Sequence, residues 1–97
     1  MVLNDKQSKE FLKSVEGKYD YKKYGGGYIN VVGTKYGLFE FITYANDNNI
    51  WINRVYTFCT YYGTQFKGIF CKEKDIDKIS KFVKKQDNLV LNASNPF

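Results

Sequence analysis

The stretch YINVVGTKYGLFEFITYANDNN, residues 28–49, decides how this chain reads as a fold. Tyr28 to Thr34 is β-branched and apolar, the composition of a strand. Gly33-Thr34-Lys35-Tyr36-Gly37 then reads as a turn, and Leu38 to Tyr44, dense in aromatic and β-branched residues, as the next strand. Asn46-Asp47-Asn48-Asn49 supplies residues that tolerate left-handed backbone and self-bonded turns, so it is expected to close a hairpin onto a strand beginning at Ile50.

Working outward, the strand from Ile50 runs to about Thr57, with an extension through Tyr61 open. Gly63 turns the chain into a further strand, Gln65 to Cys71. Upstream, Gly25-Gly26-Gly27 separates Tyr28 from a peripheral strand at Tyr19 to Tyr24 whose two faces are both polar. Asn4 with Gln7 three residues on has capping-box order, Phe11, Leu12 and Val15 make an apolar stripe, and Gly17 is placed to end a helix over about Asp5 to Glu16. Ile76, Ile79, Phe82 and Val83 follow helical spacing over Asp75 to Lys85, and Leu89-Val90-Leu91 is a candidate last strand before a frayed tail, Asn92 to Phe97. The predicted fold is one small α+β domain over residues 1–97: an antiparallel sheet of four or five strands with an N-terminal and a C-terminal helix.

A chain of 97 residues with 43% hydrophobic and 26% charged residues supports one core and argues against wholesale disorder. The longest run free of charge, Val55 to Phe66, contains Thr57, Thr60, Gly63, Thr64 and Gln65 and is too short and polar to cross a bilayer. The opening residues Met1 to Lys6 lack the apolar region of a secretory signal, so a cytoplasmic location is expected, with Cys59 and Cys71 as free thiols. Only one of the fifteen cationic residues is arginine, and Asn, Ile, Tyr and Phe are plentiful, so part of the net charge of +5 reflects AT-rich coding. The field still favours an acidic partner, whether protein, nucleic acid or anionic membrane.

Two features are candidates for function. Lys74, Lys78, Lys81 and Lys85 fall within roughly a 60° stripe of the second helix, opposite Ile76, Ile79 and Val83, along about 16 Å of its length. Such a stripe can track phosphates, or be the solvated side of a half-buried helix. Tyr19, Tyr21, Tyr24 and Tyr28 interleave with Lys22 and Lys23, and Tyr61-Tyr62 accompany Lys67. These rings are suited to stacking bases, to anchoring a protein, or to lying half-buried on a sheet. Trp51 has an ordinary reading as core. Gly25-Gly26-Gly27 lacks the Gly-Lys-Ser/Thr ending and following helix of a phosphate cradle.

The chain has no histidine, and its two cysteines have no recognisable activating base, so no triad, zinc site or cofactor is expected. A metal-dependent nuclease built on Glu40, Asp47 and a lysine is the one enzymatic reading left open. In composition only, the chain resembles the small accessory and inhibitor proteins of phages and mobile elements. The expected function is non-enzymatic: binding and blocking a larger, acidic-surfaced protein that handles nucleic acid, with Lys74, Lys78, Lys81 and Lys85 as contacts and Tyr24, Tyr28, Trp51 and Tyr61 as anchors. The alternative is direct binding of RNA or single-stranded DNA, with lysines on phosphates and tyrosines on bases. That reading needs a basic face contiguous with the exposed aromatics.

Overall fold

The computed structural model describes residues 2–18 and 26–93. In chain order the elements are α1 (Asp5–Val15), β1 (Tyr28–Gly33), α2 (Lys35–Asp47), β2 (Ile52–Tyr61), β3 (Thr64–Lys72), a 3-10 turn (Glu73–Asp75) running into α3 (Ile76–Val83), and β4 (Leu89–Leu91). The described strands form one antiparallel sheet in the order β2-β3-β1-β4. After α1 the chain thus follows β-α-β-β-α-β, with β3 inserted between β1 and β2, a split βαβ arrangement.

α1 forms where its caps dictate. The Gln7 N–H donates to Asn4 Oδ1 at 2.8 Å and the Asn4 N–H to Gln7 Oε1 at 3.0 Å, a reciprocal box that satisfies two otherwise orphaned donors. Its buried Leu12 covers Val32, Phe66 and Val90 on one sheet face, and Phe11 stacks on Phe66 at 4.3 Å. On the opposite face α2 and α3 bring Leu38, Phe41, Ala45, Ile76, Ile79 and Val83 onto Ile29, Val31, Ile69, Cys71 and Leu89. Phe41, Ile79, Val31 and Ile69 are fully buried there, each side chain contributing roughly 1.5–3 kcal/mol of transfer free energy.

The main correction falls on residues 35–49. Leu38 to Tyr44, expected as a strand, is the middle of α2, and the expected turn before it is a helix start. Thr34 Oγ1 accepts from the Gly37 N–H at 3.1 Å, an N-cap. Leu38, Phe41 and Ala45 recur at helical spacing and are all buried, so tertiary burial along that stripe outweighs the strand propensity of the residues between them. Asn49 adopts the left-handed conformation expected of its cluster, at φ 55, but it ends a helix instead of turning a hairpin. The Ile50 N–H reaches back to the Ala45 carbonyl at 2.9 Å, closing a Schellman-type cap.

Other elements follow the sequence more closely. β2 extends through Tyr61, β3 spans Thr64–Lys72, and Leu89–Leu91 is a strand, which makes four strands among the described residues. The expected strand at residues 19–24 lies outside the described residues. Asn92 and Ala93, placed with the frayed tail by sequence, are buried, and the Asn92 N–H donates to the Asn30 carbonyl at 2.9 Å; residues 94–97 lie outside the described residues.

Candidate functional site

α2 presents two faces of unequal character. Leu38, Phe41 and Ala45 point into the core, while Tyr36 and Phe39 leave the other side at 67% and 68% exposure. α2 packs over β1 and β3, so β2 at the sheet edge is partly bare and Val55 is 45% exposed on the helix-bearing face. Between them lies a groove of about 580 Å³ lined by Tyr36, Leu38, Phe39, Ile42 and Val55, with Lys35 and Lys67 at its margin. Glu40 engages the Tyr36 hydroxyl; their hydrogen bond first, and the carboxylate's charge second, raise the phenol above its ordinary pKa. The ion pairs among the described residues are Lys9 with Asp87 and Lys74 with Asp75, so neither Lys35 nor Lys67 has an acidic partner there.

A second cluster lies on the other sheet face. Tyr28 and Trp51 bring their ring centroids to 5.9 Å, and the Lys72 ammonium sits 4.9 Å from the Trp51 centroid. Tyr56 stacks on Phe70 at 5.0 Å. Its ring crosses Gly68, where an added Cβ would lie 2.7 Å from the Tyr56 hydroxyl oxygen. Burial raises the Tyr56 phenol.

The residues singled out by sequence do not converge on one place. Lys74 is exposed in the 3-10 turn, its ammonium 3.8 Å from Asp75 Oδ2. Lys78, Lys81 and Lys85 are exposed on and just beyond α3, opposite its buried Ile76, Ile79 and Val83. Tyr28 and Trp51 meet at one end of the sheet. Tyr61 stands at the far end of β2, stacked on Phe11 at 4.9 Å, where it holds α1. Tyr24 lies outside the described residues. Glu40 and Asp47, expected to flank a hairpin, both lie on α2, two turns and about 10.5 Å of rise apart. Among the described residues no three His, Cys, Asp or Glu side chains gather as a metal site, and no helix is long and apolar enough to cross a membrane.

Both cysteines are free thiols. Cys71 is in the core, where burial and then the charge of Asp75 push its thiol up to about 12. Burial also raises Cys59. Neither carries the depressed pKa of a nucleophile.

A strand over residues 38–44 conceals the groove, because only a helix there turns Tyr36, Phe39 and Ile42 toward Val55 of β2. A signal was present: helical spacing of Leu38, Phe41 and Ala45 leaves Tyr36 and Phe39 as aromatics on the wrong side of an otherwise ordinary amphipathic helix. No protein-family model matches the chain, and neither a curated protein nor a solved structure matches it.

Proposed function

We propose that this chain is a non-enzymatic binding protein that acts by occupancy, engaging a larger protein through the α2–β2 groove. The observation that carries the proposal is Phe39, a phenylalanine 68% exposed beside Tyr36 at 67% over an apolar-walled groove. Covering one such ring is worth roughly 1.5–3 kcal/mol, and large rigid aromatics are the usual anchors of protein interfaces. Lys35 and Lys67 at the margin, with the net charge of +5 behind them, favour a partner that carries carboxylates around an apolar ridge. The lysines of α3 form a separate patch, which a protein partner tolerates. They add a long-range attraction to an acidic surface and are not needed as contacts.

The test uses the tagged chain as bait in extracts of the cells that express it, comparing wild type with Phe39→Asp and with Lys35→Glu/Lys67→Glu. A partner held by wild type, lost with Phe39→Asp and weakened by the charge reversals at unchanged circular dichroism and Tm is the expected result. Equal capture by all three proteins would refute the groove as the contact.

A further inference from the structure

The four strands contain no aspartate or glutamate; their charged residues are Arg54, Lys67 and Lys72. Two of these three accompany the sheet face turned away from α2 and α3, or its edge. On that face the strand register sets Tyr28 beside Lys72, places Phe70 between Asn30 and Asn53, and sets Tyr56 beside Gly68. Leu12 and Phe11 of α1 cover the face farther along, over Val32, Phe66 and Val90. Short of that cover lie two aromatic pairs, Tyr28 with Trp51 and Tyr56 with Phe70, and one ammonium over the Trp51 ring. Same-face neighbours along a strand are about 6.8 Å apart, so the pairs follow one another as successive platforms.

We propose that this face binds single-stranded nucleic acid. Trp51 and Tyr28, 39% and 44% exposed, take bases by stacking, and Tyr56 with Phe70 extends the platform. Lys72, held against Trp51, meets the phosphate next to a stacked base, and Arg54, exposed at the β2 edge, meets another. Charge decides between polyanion and protein as occupant: stacking is indifferent to base identity, and acid-free strands with Lys72 at the Trp51 ring and Arg54 at the β2 edge match a phosphate chain. The lysines of α3 stand on the far side of the helix layer and take no part, so the contiguity that direct binding requires is supplied by other residues than the stripe. This site is independent of the α2–β2 groove, which opens on the opposite face.

Trp51 is the chain's single tryptophan, so its fluorescence reports directly on the platform. Wild-type protein titrated with dT20 and rU20 at 50 mM salt is expected to show saturable quenching. Anisotropy of the labelled oligomers should weaken roughly sevenfold between 50 and 200 mM salt for two phosphate contacts. Tyr28→Leu and Trp51→Leu should each weaken anisotropy-detected binding about tenfold, Lys72→Gln should flatten the salt dependence, and Phe39→Asp should leave binding unchanged. Absence of binding at 50 mM salt overturns the proposal. So does binding without quenching that survives both aromatic substitutions, and so does binding abolished by Phe39→Asp, which would move the contact to the groove.

Discussion

The Tyr44 hydroxyl donates a hydrogen bond to the backbone carbonyl of Lys78 at 3.0 Å, while its ring stacks on Phe82 at 4.3 Å. The pair ties α2 to α3 at the outer margin of the helix layer. Tyr44→Phe keeps the stack and removes the bond, so it should cost about 0.5–1 kcal/mol in urea denaturation, toward the low end of the usual range because the bond is exposed to water. Tyr44→Ala should cost about 2–3 kcal/mol. Equal costs would assign the tie to the hydroxyl.

Gly68 admits the Tyr56 ring. A Cβ there would lie 2.7 Å from both the ring Cζ and the hydroxyl oxygen, so Gly68→Ala must displace a ring stacked on Phe70. A loss of about 1–2 kcal/mol is expected, and it should shrink in a Tyr56→Ala background, where nothing occupies the space. A double-mutant cycle with no coupling would show that Tyr56 does not pack over Gly68 in solution.

The β2–β3 hairpin turns through Tyr62 and Gly63 at φ 48 and 75. A two-residue loop with both central residues left-handed is the turn that favours Asn-Gly. Tyr62 sits there at the steric cost of an L-residue with a full side chain. Tyr62→Asn should relieve it and stabilise by about 0.5 kcal/mol after loss of the Tyr61–Tyr62 edge contact, seen as a higher Tm. A lower Tm would mean that the ring contact outweighs the backbone strain.

The buried Cys71 thiol sets an alkaline limit. Its value rises from 9.0 to about 12 on folding, so between these pH values the unfolded chain has lost a proton that the native state retains. Stability therefore falls as pH rises through that window, by up to about 1.4 kcal/mol per pH unit from this group. Denaturation midpoints of wild type should fall more steeply than those of Cys71→Ala from pH 9 to 11; parallel curves would exclude the thiol as the cause. At pH 8 a thiol reagent should modify the partly buried Cys59 faster than Cys71 in the native state and reach Cys71 only on unfolding.

Both outer helices and the β2–β3 hairpin are legible in the sequence because their signals are local. Asn4 and Gln7 form a cap whatever the rest of the chain does, and Ile76, Ile79 and Val83 have no plausible period but the helical one. Residues 35–49 are different: Phe39, Phe41, Ile42, Thr43 and Tyr44 favour strands individually, and only the sheet beneath Leu38, Phe41 and Ala45 chooses the helix. The groove depends on the same choice, since a helix separates Phe39 from Phe41 in direction where a strand would align them. Lys78 and Lys81 lie exposed on α3, with Lys74 in the turn before it and Lys85 just beyond it, but their separation from Trp51 and Tyr28 depends on which layer each occupies, which no local pattern encodes.

β2 is rich in the residues that aggregate: Ile52, Val55, Tyr56, Thr57, Phe58 and Tyr61 on an edge strand. Its register slips at Arg54 and again at Phe58, each an extra residue against β3. Between these bulges only Val55, Tyr56 and Thr57 run in flat register, fewer than the six or seven residues from which a cross-β spine grows. The irregularities and the single arginine act as gatekeepers against edge-to-edge strand addition. A chain with Arg54 and Phe58 removed would present a straighter, uncharged edge, and fibril growth would be the expected consequence.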